Sequence, residues 1–405
     1  MSAYAKRIPE MEGEVKKLKV LTDALISPTI VSFGGGAPAR EAYPFDIVRE
    51  ICNDILQPTA EGFGTMVYGS QIGHLGLREA VRDYLLKPRG LDVKVENIMI
   101  TAGGIQPINF MCQLYIDPGD TILVETPTFV HTDMIFKMFQ ANLVPCETDD
   151  NGLVMEDVEE KIKKYNPKFI YTIPTFQNPT GVTLSQERRI KLAELANKYN
   201  VMVLEDDPYR EIRYSGEELI PIMHYDKNDN VIFAGSFSKI FSPGSRLGFL
   251  VASEEQIEKF CNIKLGTDTC TNGLTQAIVS EFFKRGYYPQ HLENLRSMYR
   301  SRRDAMVKAL DAYFPAGTKH TYPDGGYYVW AELPEGLDAT ALAREIGEDL
   351  NICYGNGTIF YSEGNPEGAG TRCMRLNFSG QTEESIEKNF KILGEFFCKK
   401  LAEKQ

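Results

Sequence analysis

The feature that most constrains this chain is a regular alternation of short apolar, β-rich runs with helical patterns through its middle. Helical patterns lie between most of the runs, as over residues 185–199, where Ser185 is a typical N-terminal cap. Each apolar run has the length of a buried strand; the six runs are 97–101, 121–125, 168–173, 201–205, 231–235 and 246–252. This alternation predicts an α/β fold with a mostly parallel central sheet flanked by helices.

The length and the order of the patterns predict two domains. A chain of 405 residues exceeds the size at which a single hydrophobic core keeps growing. From about residue 254 to residue 314 the pattern turns helical, and a β-like stretch over 325–330 follows. We therefore expect a large domain over 46–310, a smaller α+β domain over 311–405, and an N-terminal arm, 1–45, that joins the small domain.

Composition narrows the classes of function. The net charge of −12 argues against a broad nucleic-acid surface, because binding to phosphate backbones needs clustered Lys and Arg. The eight cysteines include no Cys-x-x-Cys pair, so neither a zinc site nor a disulfide framework is predicted. Charges interrupt the apolar residues of the N-terminal segment, and no later stretch reaches the length of a membrane span. We expect a cytoplasmic protein with no metal and no membrane partner.

The first candidate for chemistry is a lysine that follows a predicted strand. The segment Gly235-Ser236-Phe237-Ser238-Lys239 leaves the run at 231–235. A lysine at a strand exit is usually a solvated charge, whereas a desolvated lysine is the residue type that forms Schiff bases. This segment alone leaves both interpretations open.

Carboxylates follow a second strand. The run at 201–205 ends in Glu205, Asp206 and Asp207, with Tyr209 close behind. In open α/β sheets, ligands bind beyond the carboxyl ends of the strands. These carboxylates therefore form either a binding site or a simple acidic turn.

Two further strand exits have turn residues that could contact a ligand. Asn178, Pro179 and Gly181 punctuate a turn after the run at 168–173. Gly103 and Gly104 lie between a predicted strand and a helix, where free backbone N–H groups could hold a phosphate. Both patterns also occur in ordinary loops.

Taken together and in chain order, these segments resemble the fold-type I pyridoxal-phosphate enzymes. The resemblance is to the class I and II aminotransferases related to aminoadipate, kynurenine and aromatic aminotransferases, and it spans nearly the whole chain. Its motifs are Asn-Pro-Thr-Gly at 178–181, Asp-x-x-Tyr at 206–209, Ser-x-Ser-Lys at 236–239 and Arg-x-x-Phe-Ser at 375–379, with further similarity at 33–38, 68–73 and 374–379.

The resemblance implies pyridoxal 5'-phosphate as the cofactor. Lys239 would carry it as a Schiff base and would later move the substrate's α-proton. Asp206 would keep the pyridine nitrogen protonated, because an opposite charge favours the charged form. Asn178 and Tyr209 would donate to the phenolic oxygen of the ring, and Phe129 would stack against the ring.

The resemblance also implies a phosphate site and a homodimer. The implied phosphate ligands are Arg246, Ser236, Ser238, the backbone of Gly104 and Ile105, and Tyr68 of the partner subunit. The family often has Ser-Gln where this chain has Gly104 and Ile105, so contacts there have to come from backbone amides.

For the substrate, the resemblance implies that Arg375 binds the α-carboxylate, a role that suits a planar bidentate side chain. Asn178, Gly36 and Tyr327 would line the same pocket. The expected reaction moves an amino group from an aromatic, aminoadipate-like or large aliphatic L-amino acid to a 2-oxo acid such as 2-oxoglutarate.

Other classes of function remain as alternatives. Ser236 to Lys239 also matches the Ser-x-x-Lys pattern of serine β-lactamases, with Tyr354-Gly355-Asn356 as a second motif, but no Lys-Thr-Gly follows. A pyridoxal-phosphate decarboxylase or C–S lyase would reuse the same cofactor contacts. A sensor domain of the kind fused to DNA-binding regulators is the non-enzymatic alternative.

Overall fold

Two β-sheets organise the computed structural model, which describes residues 4–5, 7–8, 11–13, 15 and 30–404. Most of the predicted N-terminal arm upstream of residue 30 lies outside the described residues. The strands in chain order are β1 (Val31–Phe33), β2 (Ile98–Thr101), β3 (Thr121–Glu125), β4 (Asn142–Cys146), β5 (Thr148–Asp149), β6 (Gly152–Leu153), β7 (Phe169–Thr172), β8 (Met202–Asp206), β9 (Val231–Ser236), β10 (Gly248–Val251), β11 (Lys319–His320), β12 (Tyr328–Glu332), β13 (Ile352–Asn356) and β14 (Cys373–Asn377).

The larger sheet has seven strands in the order β2-β10-β9-β8-β7-β3-β4. All run parallel except β10, which is antiparallel to both of its neighbours. β2, β7 and β10 are buried along their whole length, as expected for strands covered by helices on both faces. The predicted α/β class with a mostly parallel sheet is confirmed.

Helices connect and cover these strands. Ser185 accepts a hydrogen bond from the Arg188 backbone N–H at 3.3 Å and so begins one helix; Ser253 and Gln256 form a capping box at another. The helices are α1 (Phe45–Ile55), α2 (Ala60–Gly64), α3 (Leu75–Ala80), α4 (Ile105–Tyr115), α5 (Val130–Met138), α6 (Met155–Tyr165), α7 (Gln186–Tyr199), α8 (Glu254–Thr267), α9 (Gly273–Lys284), α10 (Tyr288–Tyr313), α11 (Ala339–Leu350) and α12 (Glu383–Ala402).

The second sheet has five strands in the order β1-β13-β14-β12-β11. β1, from the N-terminal part of the chain, pairs parallel with β13, and the other neighbours are antiparallel. Rings on α12 cover the end of α10, with Phe314 lying 5.6 Å from Phe390 and 5.7 Å from Phe397 between ring centroids. The exact division into domains at residues 45 and 310 remains a prediction.

The predicted strands agree with the structure except at their ends, and two ends have physical causes. The run at 246–252 begins as a strand only at Gly248, because Arg246 ends a 3-10 turn in the left-handed conformation with φ 50°. The stretch at 325–330 becomes a strand only at Tyr328, since Gly326 has φ +74°, which lies outside the extended region. The edge strand β4 was not among the predicted runs.

Within the described ranges, no helix is long and apolar enough to cross a membrane. The same part of the chain contains no group of three or more His, Cys, Asp or Glu residues arranged to hold a metal ion.

Candidate active site

The carboxyl ends of the parallel strands meet at one edge of the larger sheet, where ligands bind in folds of this kind. β10 begins at the same edge, because it runs in the opposite direction. The edge therefore brings together the end residues Thr101, Glu125, Thr172, Asp206 and Ser236 and the first residue of β10, Gly248. These residues are spread over nearly 150 positions of sequence, and only the sheet makes them neighbours.

The structure distinguishes the three consecutive carboxylates at the end of β8. Glu205 lies 3.8 Å from the buried guanidinium of Arg189, and Asp207 lies 2.9 Å from that of Arg210. Asp206 is 5% exposed and forms no ion pair with any of the described residues. Since an unpaired buried carboxylate is costly, Asp206 is the one that needs a cation from outside the chain.

The raised pKa of Asp206 also indicates that its carboxylate lacks a cation. Burial, together with the nearby charges of Asp207 and Glu125, raises the pKa of Asp206 to about 7. Its carboxylate accepts one hydrogen bond, from the Tyr171 hydroxyl to Oδ2 at 2.8 Å. A protonated ring nitrogen would supply both the missing charge and a donor for Oδ1. The site therefore fits the pyridine ring of pyridoxal phosphate.

Lys239 lies between aromatic rings just beyond β9. Its Nζ donates to the Gly36 carbonyl at 2.6 Å and lies 5.5 Å and 5.3 Å from the ring centroids of Tyr209 and Tyr327. Burial, and then the charge of Arg375, lowers the pKa of Lys239 below its usual value. A lowered pKa increases the share of the neutral amine, which is the form of lysine that reacts with carbonyl groups.

The predicted phosphate site is a cradle between β2, β9 and β10. Arg246 forms no ion pair with any carboxylate in the described part of the chain, and its Nη2 donates to the Ala102 carbonyl at 3.4 Å. Gly103 has φ +81°, and a Cβ there would lie 2.4 Å from Nη2 of Arg246. Gly104 faces Ser236, since a Cβ at Gly104 would lie 3.6 Å from the serine hydroxyl.

The glycine turn of this cradle continues into α4. Gly104 is the N-cap of α4 and Ile105 is its first residue, so free backbone N–H groups lie beside Arg246. Ser238 is buried, and its backbone N–H donates to the Ser236 hydroxyl at 3.1 Å. Guanidinium, hydroxyl and amide donors thus converge where an anion would sit.

A polar network next to the glycine turn, centred on the buried Lys264, was not predicted from the sequence. The Gln106 side-chain oxygen accepts from the Ala102 backbone N–H at 2.8 Å and from Lys264 Nζ at 2.9 Å. Lys264 also pairs with Asp268 at 2.9 Å. These bonds hold the turn in place through the Ala102 backbone. A lysine in a helix 158 residues further along the chain carries no sequence signal for this role.

Arg375, in the middle of β14, is the second cation of the site without a carboxylate partner in the described ranges. Its Nη1 donates to the Asn178 side-chain oxygen at 2.9 Å and its Nη2 to the Gly34 carbonyl at 2.6 Å. Its guanidinium carbon lies 4.4 Å from the Tyr328 ring centroid and 4.7 Å from that of Phe360. A guanidinium that is fixed in position and whose charge is not neutralised by a carboxylate is suited to bind the carboxylate of a ligand.

Two neighbouring tyrosines have different positions. The Tyr327 hydroxyl donates to the Lys239 carbonyl at 3.3 Å, beneath the lysine, whereas Tyr328 is the tyrosine that stacks on Arg375. The Tyr328 hydroxyl lies 3.4 Å from that of Tyr209. A Cβ at Gly36 would lie 2.4 Å from the Tyr328 hydroxyl, which explains a glycine there. Tyr328, which was not among the predicted site residues, also has the geometry expected of a pocket residue.

The N-terminal end of α5 forms an aromatic wall of the site. The ring centroids of Phe129 and His131 lie 4.9 Å apart. Burial, and then the charges of Arg375 and Lys239, lowers the pKa of His131 to about 4, so its imidazole is neutral at neutral pH. Tyr68 is 88% exposed within the chain.

The fold and this site define a pyridoxal-phosphate enzyme of fold type I. The family described as aminotransferase class I and II matches residues 39–393. The chain is 37% identical over 388 residues to an aromatic-amino-acid aminotransferase of Thermococcus litoralis, covering 95% of this chain and 91% of that one. It is 33% identical to a 2-aminoadipate transaminase of Thermus thermophilus, covering 91% and 90%.

A solved structure agrees with these relatives. A kynurenine aminotransferase of Pyrococcus horikoshii superimposes with a TM-score of 0.90 at 35% identity, covering 98% of this chain and 97% of the other. The chain belongs to the class I and II aminotransferase family, and it is a pyridoxal-phosphate-dependent aminotransferase. The family is incompatible with the β-lactamase interpretation, and the decarboxylase, lyase and sensor alternatives are not favoured.

Proposed function

We propose that this enzyme transfers the amino group of an aromatic, aminoadipate-like or large aliphatic L-amino acid to a 2-oxo acid such as 2-oxoglutarate. The proposal is based mainly on the state of Arg375. Its guanidinium is buried, is oriented by a hydrogen bond to Asn178, and has no carboxylate partner among the described residues. The α-carboxylate is the group that all amino-acid and 2-oxo-acid substrates share. The relatives named for aromatic amino acids, 2-aminoadipate and kynurenine support the donor classes.

The cofactor would be held by residues from several strands. Lys239 would bind it covalently, and Asp206 would pair with its pyridine nitrogen. Asn178 and Tyr209 would donate to the phenolic oxygen, while Phe129 would cover one face of the ring. The phosphate would be bound by Arg246, Ser236, Ser238 and the backbone of Gly104 and Ile105. When bound, pyridoxal phosphate supplies an electron sink for the electrons left at the substrate's α-carbon.

Lys239 is the base in this proposal. The lowered pKa of Lys239 favours the neutral amine, which could accept the substrate's α-proton. Tyr209 and Tyr327 confine the amine between their rings. Arg375 binds the α-carboxylate and thereby orients the bond from which the proton leaves.

The neighbouring side chains support a donor with a large apolar or aromatic side chain. Phe129 and His131 lie side by side at the N-terminal end of α5, and Tyr328 and Phe360 stack on Arg375. The neutral imidazole of His131 can donate or accept a hydrogen bond without requiring a charged side chain. Gly36 and Tyr327 remain predicted pocket residues.

A homodimer is part of the proposal. Several large apolar side chains are exposed on one part of the chain, among them Phe45, Phe63, Met66 and Tyr68. Phe45 lines an apolar groove of about 420 Å³ beside Phe241. Such a surface on a chain of this kind fits a subunit interface, where Tyr68 would reach the phosphate of the partner's cofactor. The eight unpaired cysteines support a cytoplasmic location.

A spectroscopic experiment tests the proposed reaction. Amino acids are added one at a time to the cofactor-loaded protein without any oxo acid, and the visible spectrum is followed. We expect aromatic, aminoadipate-like or large aliphatic donors to convert the bound cofactor to its aminated form, and 2-oxoglutarate to restore the starting spectrum. A cofactor band that none of these donors changes would contradict the proposed substrate class.

A further inference from the structure

Tyr171 lies in β7, the strand next to β8, directly beside the carboxylate that we assign to the pyridine nitrogen. Its side chain is 0% exposed, and its hydroxyl donates to Oδ2 of Asp206 at 2.8 Å. The edge of its ring packs against Phe136, with 5.7 Å between ring centroids. The ring of Tyr171 therefore belongs to the hydrophobic core. Its hydroxyl is the group through which Tyr171 reaches the site.

The hydroxyl of Tyr171 matters because no cation among the described residues faces Asp206. The other titratable groups that face Asp206 and Tyr171 are Glu125 on β3, Asp207, and Tyr209, and none of them is a cation. Burial and the two carboxylates favour the protonated form of Asp206 and raise its pKa, and the hydrogen bond from Tyr171 acts in the opposite direction. Among the described residues, Tyr171 is the only side chain that stabilises the Asp206 anion.

Tyr171 remains a donor under all ordinary conditions. Burial, and then the charge of Asp206, raises the pKa of Tyr171 well above its usual value, so the phenol keeps its proton. Because Oδ2 is occupied by this bond, Oδ1 is the oxygen left to face a ligand. The hydrogen bond therefore favours the charged form of the carboxylate and orients it.

We propose that Tyr171 is a positioning residue for amino transfer, whose hydroxyl favours the ionised form of the Asp206 carboxylate and directs Oδ1 toward the pyridine nitrogen. The inference rests on the proposed function, which pairs Asp206 with that nitrogen. Within such a pair, one proton is shared between the ring nitrogen and the carboxylate. A donor to the carboxylate disfavours its protonated form and leaves the proton on the nitrogen, where electron withdrawal requires it.

The chain offers a matched control for losing a buried tyrosine hydroxyl. Tyr288 is buried and donates to the Glu211 carboxylate at 2.6 Å, away from the strand ends that form the site. Glu211 differs from Asp206 in having a cation, Arg89, whose Nη2 lies 2.5 Å away. Tyr288→Phe therefore removes the same kind of bond without affecting a carboxylate that serves the cofactor.

The experiment compares wild type, Tyr171→Phe, Tyr288→Phe and Asp206→Asn as holoenzymes loaded with cofactor labelled with 15N at the ring nitrogen. The chemical shift of that nitrogen at neutral pH reports whether it carries the proton. We expect the signal of Tyr171→Phe to move toward the unprotonated value and its kcat to fall about ten-fold or more with little change in KM. Tyr288→Phe should keep the wild-type signal.

Each outcome has a separate meaning. A wild-type ring-nitrogen signal in Tyr171→Phe, together with a shifted signal in Asp206→Asn, would overturn the role of Tyr171 alone. An unshifted signal in Asp206→Asn would instead overturn the pairing in the proposed function. Tyr171→Phe could fail to fold, and a difluorotyrosine at position 171 is then the second variant. It keeps the shape of the side chain and makes the hydroxyl a stronger hydrogen-bond donor to Asp206. A ring-nitrogen signal that moves away from the protonated value in this variant would contradict the inference.

Discussion

The Arg375 guanidinium donates to the side-chain oxygen of Asn178 at 2.9 Å, and this bond joins the two sheets at the active site. Arg375 belongs to β14 of the smaller sheet, and Asn178 follows β7 of the larger sheet. The residue proposed for the substrate carboxylate is therefore oriented by a residue proposed for the cofactor. The bond also uses the Asn178 oxygen, which leaves the amide NH2 group to donate to the phenolic oxygen of the ring.

Arg375→Lys tests the carboxylate site. Lysine keeps the charge but loses the planar pair of donors and the contact with Asn178, so we expect kcat/KM for amino acids to fall on the order of 100-fold. Steady-state kinetics with one donor and 2-oxoglutarate measure the change. Arg372→Lys is the control, because Arg372 pairs with Glu332 outside the site. Equal effects of the two substitutions would remove Arg375 from its role.

Lys239→Ala tests the covalent attachment. The variant lacks the amine that binds the cofactor, so we expect the visible band of the bound cofactor and the turnover to be lost together. An absorbance spectrum after addition of pyridoxal phosphate is the measurement. Lys308→Ala changes an exposed lysine and should keep both. A fully active Lys239→Ala enzyme would end the proposed mechanism.

Substitutions at two neighbouring glycines of the phosphate cradle should change the affinity for the cofactor in opposite directions. Gly104→Ser adds a hydroxyl where a Cβ meets nothing closer than 3.4 Å, so we expect tighter binding of the cofactor by a few-fold. Gly103→Ala places a Cβ against Arg246 at a position with φ +81°, so we expect binding to weaken about ten-fold or more. Dissociation constants from spectral titration distinguish them. The prediction fails if both variants change affinity in the same direction.

Asp206 gives a pH dependence to the cofactor-free protein. Its folded pKa of about 7 exceeds the value of about 3.9 for an unfolded aspartate. The folded state binds this proton more tightly, so stability is highest below the unfolded pKa and is lost as the pH rises toward about 7. We expect the Tm of the apoprotein to fall less steeply over this range in Asp206→Asn. Asp349→Asn, at an exposed position, should keep the wild-type slope.

Mixed dimers test the role proposed for Tyr68. Homodimers of Tyr68→Phe should be impaired, and homodimers of Lys239→Ala should be inactive. If Tyr68 serves the partner subunit, a hybrid of the two variants contains one site with both native residues. We therefore expect activity to rise on mixing and refolding the two proteins. No recovery would mean that Tyr68 acts within its own subunit or not at all.

Much of this protein follows from its sequence alone. The apolar runs and caps predicted the α/β alternation, because strand and helix periodicities are local properties of the chain. The order of the motifs around Asn178, Asp206, Lys239 and Arg375 was enough to predict the family and its cofactor. The motifs around Asn178, Asp206 and Lys239 each follow a predicted strand, which also predicted that these residues converge at one edge of a sheet.

Other features were decided only by the tertiary structure. The resemblance had assigned the cofactor role to Asp206, but only the packing gives the physical reason, because Arg189 and Arg210 neutralise its two neighbours and leave Asp206 without a cation among the described residues. Lys264 supports the glycine turn from a helix 158 residues after Gln106. Tyr171 acts on Asp206 because β7 and β8 are adjacent in the sheet. Charge compensation and buried hydrogen bonds depend on which elements pack together, and local sequence patterns do not contain that information.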